Sequence, residues 1–84
     1  MRVLSITLNR VPVGLCCTVI SLTSDGMLRR RMFDLGIITG TKIKVLHKSP
    51  AGNPIAYLIR GTVIALRNED AKKILVKICR PKRR

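Results

Sequence analysis

The fold is decided by residues 41–66, which read TKIKVLHKSPAGNPIAYLIRGTVIAL. From Thr41 onward, isoleucine and valine alternate with lysine, and this period of two is typical of a half-buried strand. The residues that follow are dense in proline, glycine, serine and asparagine, which favour turns. The stretch therefore predicts a strand, a loop over 49–54, a strand with Ile55, Tyr57 and Ile59 on one face, a turn at Arg60-Gly61, and a strand over 62–66.

The flanking segments add short elements on both sides of this stretch. Residues 15–22 are rich in β-branched and small apolar residues, and they predict another strand. Downstream, Asn68 is placed to cap a single helical turn. Residues 74–78 alternate again and predict a last strand with its apolar face inward. The first ten residues predict only an extended lead-in.

A short helix is predicted between the first two of these strands. Ser24 or Asp25 can cap its beginning, and it runs to Asp34. Gly36 supplies the left-handed residue that usually ends a helix. The side chains that would face the core, at positions i, i+4 and i+7, are Leu28, Met32 and Leu35.

These elements predict a mainly β fold. Five short strands, with a helix after the first and a helical turn before the last, are joined by connections too short for parallel crossovers. We therefore expect a small antiparallel barrel, because closure removes exposed sheet edges. One domain is expected over 1–79, followed by a basic tail over 80–84.

Composition excludes several classes of protein. With 84 residues the chain holds one domain, which excludes an enzyme with separate cofactor and substrate domains. A hydrophobic fraction of 46% excludes a disordered basic tail. The three cysteines are an odd number without a C-x-x-C pair, so they predict no disulfide framework and favour a reducing cytoplasm.

Residues for catalysis are nearly absent from the sequence. The four acidic residues stand at or near predicted helix ends, where capping explains them, and no phosphate-binding glycine loop exists. Cys16 and Cys17 point to opposite faces of a strand and are more typical of apolar filling than of metal ligation. No enzyme activity and no cofactor are expected, except for a transition metal ion with His47, Cys16 and Cys17 as candidate ligands.

The chain carries a large excess of positive charge, which allows two interpretations of its surface. Seventeen basic residues stand against four acidic ones, for a net charge of +13. Such a surface is either ordinary and solvated or attracted to nucleic acid, anionic lipid or an acidic protein. The aromatic fraction of 2% argues against stacking on unpaired bases.

A family resemblance begins at residues 31–40, RMFDLGIITG, with the pattern Arg-x-x-x-Leu-Gly-x-x-x-Gly. A Gly-x-Pro loop follows at 52–54, and then Ala-Leu-Arg-x-Glu-x-Ala-x-x-Ile-x-Val over 65–76. In their order and spacing these motifs resemble the FeoA family, small cytoplasmic proteins encoded beside the bacterial ferrous iron transporter FeoB. The structural positions of the pattern are Arg31, Leu35, Gly36, Gly40, Pro54 and Gly61.

The resemblance implies an SH3-like barrel that serves FeoB as a protein-binding accessory, without catalytic residues. Any membrane contact would then come only through FeoB, and no specific nucleic acid is expected. The sequence leaves the oligomeric state open. Two rival interpretations remain: a small basic barrel that binds nucleic acid, as in translation proteins, and a transition-metal-binding SH3-like domain.

The predicted partner surface combines charge with the only tyrosine and a proline-containing loop. Aromatic and loop residues line the peptide groove of SH3-like folds. The residues predicted to bind FeoB are Arg29, Arg30, Pro50, Asn53 and Tyr57.

Overall fold

The computed structural model describes residues 5–23 and 26–79. Within these residues there are six strands, two α-helices and one turn of 3-10 helix at Leu8–Arg10. The predicted caps Ser24 and Asp25, residues 1–4 and the tail over 80–84 lie outside the described residues. The elements are β1 (Ser5–Thr7), β2 (Cys16–Leu22), α1 (Gly26–Asp34), β3 (Lys42–Lys48), β4 (Ile55–Ile59), β5 (Thr62–Leu66), α2 (Asn68–Ala71) and β6 (Ile74–Ile78).

The strands form one antiparallel sheet in the order β1-β6-β2-β3-β4-β5. The mainly β fold and the five predicted strands are confirmed, as β2 to β6. The lead-in adds a sixth strand, because β1 pairs with β6 through Ser5 opposite Lys77. Strands β1 and β5 are the two edges of this order, and within the described residues they do not pair with each other, so the expected closure of the sheet is not seen.

The core follows the alternation along the strands. In β4 every second side chain is buried, and these are Ile55, Tyr57 and Ile59, which the sequence predicts on one shared face. Strand β3 buries Ile43 and Val45 and exposes Lys42 and Lys44, which alternate with them. The other buried hydrophobic residues are Leu8, Val11, Cys17, Val19, Met32, Ile37, Leu66, Ala71, Ile74 and Val76.

Helix α1 is fixed to this core by the predicted stripe and by its carboxyl end. Met32 is fully buried, and Leu28 and Leu35 pack against the core as partly buried side chains. Gly36 has a φ of +87°, and its N–H donates to Phe33 O at 3.0 Å. The Ile37 N–H donates to Met32 O at 2.9 Å, which completes a Schellman motif. The prediction that Gly36 ends the helix is confirmed.

The β4–β5 turn contacts the end of this helix. Arg60 and Gly61 have φ values of 52° and 81°, as a two-residue type I′ hairpin turn requires. The Arg60 Nε–H donates to Gly36 O at 3.0 Å. The carboxyl end of β4 therefore lies beside the end of α1.

The loop over 49–54 lies at the other end of β4. The Asn53 side-chain oxygen accepts from the Asn68 N–H at 2.9 Å, which joins the loop to α2. Asn68 was predicted to cap α2, and this is wrong: the cap position is Arg67, and Asn68 is the first helical residue. Its side chain instead accepts from Asn9 Nδ2 at 3.0 Å, because the 3-10 turn packs next to α2.

Candidate functional site: a groove along helix α1

Of the six large apolar side chains that are exposed among the described residues, three lie on or next to helix α1. Phe33 is 67% exposed and Met27 is 88% exposed on α1, and Ile38 lies close by at 36%. They contribute to two adjoining depressions that share Arg29 and Phe33, and we call these together the α1 groove. The α1 groove is lined by Ser21, Leu22, Gly26, Met27, Arg29, Arg30, Phe33, Ile38 and Thr39.

The helix geometry explains why an aromatic residue stands in solvent. Phe33 directly follows the buried Met32, and one residue of an α-helix turns the side chain by about 100°. Phe33 also lies four residues after Arg29, so the two are neighbours on the helix surface. The face of α1 opposite the core thus combines an exposed ring with cationic side chains.

The groove is cationic as well as apolar. Its described lining includes Arg29 and Arg30 and no acidic residue. An apolar surface bordered by arginine suits a partner segment that carries both apolar and acidic side chains, because such charges steer association and fix its register.

The structure separates the residues that were predicted to bind the partner. Arg29 and Arg30 are exposed and line the α1 groove. Pro50 and Asn53 are exposed in the loop at the amino end of β4, whereas α1 ends beside Arg60 at the carboxyl end. Neither loop residue lines the α1 groove beside the helix arginines.

Tyr57 was predicted to be part of the partner surface, and this is wrong. Its side chain is fully buried, because the alternation of β4 turns it inward with Ile55 and Ile59. The Tyr57 hydroxyl has no hydrogen-bond partner among the described residues. Burial, and secondly the nearby Cys17 thiol, raise the pKa of Tyr57 well above its ordinary value. Tyr57 is thus a neutral core residue.

The candidate metal ligands lie on the neighbouring strands β2 and β3 and do not share one face. Cys16 is exposed and Cys17 is buried, on opposite faces as the strand predicts. Cys17 donates to Ile43 O at 3.5 Å, and its burial raises its pKa to about 12. His47 is exposed on β3. The described residues contain no group of three or more His, Cys, Asp or Glu side chains that could hold a metal ion. Metal binding at these residues stays a prediction.

The positions of the sequence pattern lie on α1, at its end, and in the turns and loops of the sheet. Arg31 is exposed on α1, Leu35 is partly buried, and Gly36 ends the helix. Gly40 has a φ of +94° in the turn before β3, and its N–H donates to Val19 O at 2.8 Å. Gly61 lies in the β4–β5 turn, and Pro54 directly precedes β4.

Sequence reasoning missed the apolar part of the groove, namely Leu22, Met27, Phe33 and Ile38. A signal was available for Phe33, which is one of two aromatic residues and falls outside the stripe formed by Leu28, Met32 and Leu35. An apolar side chain outside the buried stripe of an amphipathic helix indicates a contact surface.

The motifs that frame the helix and the hairpins agree with a known family along most of the chain. The FeoA domain family matches residues 6–78. The chain belongs to the FeoA family. Within the described residues, no helix is long and apolar enough to cross a membrane.

Three similar proteins illustrate this membership. An FeoA-like protein from Clostridium acetobutylicum, solved by NMR, has 36% identity and a TM-score of 0.86, with 100% of this chain and 96% of that chain covered. FeoA of Stenotrophomonas maltophilia, crystallised with zinc and described as an SH3 domain protein, has 28% identity and a TM-score of 0.75, with 84% and 88% covered. These similarities confirm an SH3-like fold for this FeoA-family chain.

The third protein is a fusion. The Fe(2+) transport protein A/Fe(2+) transporter FeoB fusion protein of Porphyromonas gingivalis (strain ATCC BAA-308 / W83) is 30% identical over 71 residues. The match covers 84% of this chain, and the chain spans only 8% of the length of that fusion protein.

Proposed function

We propose that this chain is a cytoplasmic accessory protein of bacterial ferrous iron uptake that binds the FeoB transporter as a protein-binding module and has no catalytic activity. The observation that carries this proposal is the fusion protein, in which a relative of this chain and the transporter share one polypeptide. A covalent link raises the effective concentration of two modules for each other, which is an advantage where the two act together.

The α1 groove is the surface we assign to this binding. Protein interfaces concentrate their binding energy in a few central aromatic or arginine residues that become fully buried on association. Phe33 and Arg29 occupy such a position, since both depressions of the groove share them. The FeoB segment that fits would carry apolar side chains for Phe33 and Met27 and acidic ones for the two arginines.

A nucleic-acid-binding barrel is the second candidate, and the net charge of +13 favours it. Thr18 of β2 lies between Lys42 on β3 and Lys77 on β6. The two lysines therefore place positive charge on both sides of Thr18, in one row across three strands. Attraction of this kind to phosphates weakens steeply with salt, whereas an apolar contact at Phe33 does not.

The test compares two equally exposed apolar residues. Phe33 is 67% exposed in the groove, and Val63 is 63% exposed on the edge strand β5. Binding of the full chain to detergent-solubilised FeoB is measured for the wild type, Phe33→Asp and Val63→Asp. We expect Phe33→Asp to weaken binding by at least about tenfold, which corresponds to 1.4 kcal/mol, and Val63→Asp to change it less than about twofold.

The possible outcomes test the assignment of the binding surface and the accessory function separately. If both variants bind like the wild type, the α1 groove is not the binding surface. If the wild type itself does not bind FeoB, the accessory function is contradicted.

A further inference from the structure

The three cysteines converge where β2 begins and β6 ends. In the register of these strands, Thr18 lies opposite Lys77 and Cys17 lies opposite Ile78. One step further along the same register, Cys16 faces Cys79, and the Cys79 N–H donates to Cys16 O at 2.9 Å. Residues 63 positions apart in the chain are thus cross-strand neighbours.

Two of the three thiols share the outer face of the sheet. Side chains two residues apart in a strand point the same way, so Cys16 lies on the face of Thr18. The Thr18 hydroxyl lies 3.4 Å from Cys79 Sγ, which places that sulfur on the same face. Cys16 is exposed and Cys79 is partly exposed, whereas Cys17 points into the core. Solvent can therefore reach both outer thiols.

The spacing suits a covalent link between them. Directly opposite residues in a hydrogen-bonded antiparallel pair have Cα atoms about 5.5 Å apart. Disulfides form at Cα separations of about 4.4–6.8 Å, so side-chain rotation alone can bring the two sulfurs together.

The surroundings of this pair are cationic. Lys44 of β3 lies opposite Cys16, and Lys42 and Lys77 flank Thr18 in the next row. All three lysines are exposed. A cluster of lysines raises the local concentration of small anions, including disulfides that carry carboxylate groups.

We propose that Cys16 and Cys79 are a redox-active dithiol that exchanges with small anionic disulfides to form a cross-strand disulfide. The Cys16 thiolate attacks one sulfur of the small disulfide, which forms a mixed disulfide and releases one thiol. The Cys79 thiolate then attacks the sulfur of Cys16, which releases the second thiol and leaves the Cys16–Cys79 bond. Two protein thiols are oxidised and one small disulfide is reduced to two thiols.

The experiment uses the full reduced chain and oxidised glutathione as the anionic probe. Intact mass and peptide mapping are expected to show the loss of two hydrogen atoms and a Cys16–Cys79 link. The variant Cys79→Ser is expected to stop as a stable glutathione adduct on Cys16, because the second thiol is absent. The uncharged probe 2-hydroxyethyl disulfide is expected to react at least about tenfold more slowly at low salt, with the difference lost at high salt.

Several results would overturn the proposal. A wild-type chain that keeps the glutathione adduct, or that remains fully reduced, would show that the two sulfurs do not meet. A mapped bond to Cys17 would contradict the assignment of the faces. Equal reaction rates of the anionic and the uncharged disulfide at low salt would contradict the proposed attraction of the anionic disulfide by the lysines.

Discussion

Cys17 and Tyr57 are ionisable side chains that the fold buries completely. Burial is the main cause of the raised pKa of each, and the two lie close enough for Cys17 to raise the pKa of Tyr57 further. Both residues therefore stay neutral in the folded chain over the physiological pH range. In the unfolded chain each would ionise at its ordinary pKa, which makes the stability depend on pH.

This dependence gives a prediction for alkaline pH. The pKa of Cys17 rises from an ordinary value of 9.0 to about 12 on folding, so the unfolded chain loses this proton first. The stabilising contribution is complete below pH 9 and decreases as the pH rises toward 12. We expect the free energy of unfolding, measured in urea between pH 8 and 10.5, to fall with pH, and to fall less steeply in Cys17→Ala. Parallel curves for the two proteins would contradict a raised pKa at Cys17.

Gly36 and Gly40 provide a matched pair of backbone positions. Both have left-handed φ angles, +87° and +94°. A Cβ at Gly36 would lie 2.8 Å from Arg60 Cδ, whereas a Cβ at Gly40 would meet nothing within 4 Å. The left-handed conformation costs an alanine about 1–2 kcal/mol at either site.

The pair yields a prediction about Arg60. We expect Gly36→Ala to destabilise the chain by about 1 kcal/mol more than Gly40→Ala, because Arg60 must move and lose its hydrogen bond to Gly36 O. Chemical denaturation of both variants measures the difference. An equal loss of stability would show that Arg60 does not hold the end of α1.

At the level of elements, the attachment of α1 to the sheet rests on Met32. It is 1% exposed, whereas Met27 in the same helix is 88% exposed. We expect Met32→Ala to lower the free energy of unfolding by about 2–5 kcal/mol. Met27→Ala, which makes the same chemical change on the solvent side, should change it by less than about 0.5 kcal/mol. Similar losses in the two variants would contradict the observed orientation of the helix.

The elements that the sequence predicts best are those with a strong local pattern. Strands β3, β4 and β5 follow from alternation and turn residues, and the stripe of α1 follows from its period of 3.6. Strand β1 was missed because three residues contain too little pattern, and its existence depends on pairing with β6, which is distant in sequence.

The candidate site was only partly predictable for the same reason. Arg29 and Arg30 are visible from the sequence because they fall outside the apolar stripe of their helix. The residues of other elements that lie beside these arginines depend on how α1 packs on the sheet. Leu22 and Ile38 can therefore be assigned to the groove only from the structure. Tyr57 illustrates the opposite error, since the sequence placed it on one face with Ile55 and Ile59, which are buried, and a surface role was nevertheless assigned to it.

At the level of the whole molecule, charge and apolar surface make different demands on a partner. Seventeen basic residues against four acidic ones give the molecule a long-range attraction to any polyanion. The α1 groove adds the exposed side chains of Phe33 and Met27, and the phosphate groups of a polyanion offer no apolar contact to them. A rise in salt concentration distinguishes the two contributions, because it screens the charge attraction and leaves the apolar contact at the α1 groove in place.

The most direct test of the accessory function is therefore a salt titration with competing partners. Binding of the full chain is measured against solubilised FeoB, duplex DNA and single-stranded RNA, from low ionic strength to about 0.15 M. We predict that FeoB binding persists at the highest salt, while affinity for both nucleic acids falls by at least about tenfold. Tight nucleic-acid binding that survives at this ionic strength, together with no detectable FeoB binding, would contradict the proposed function.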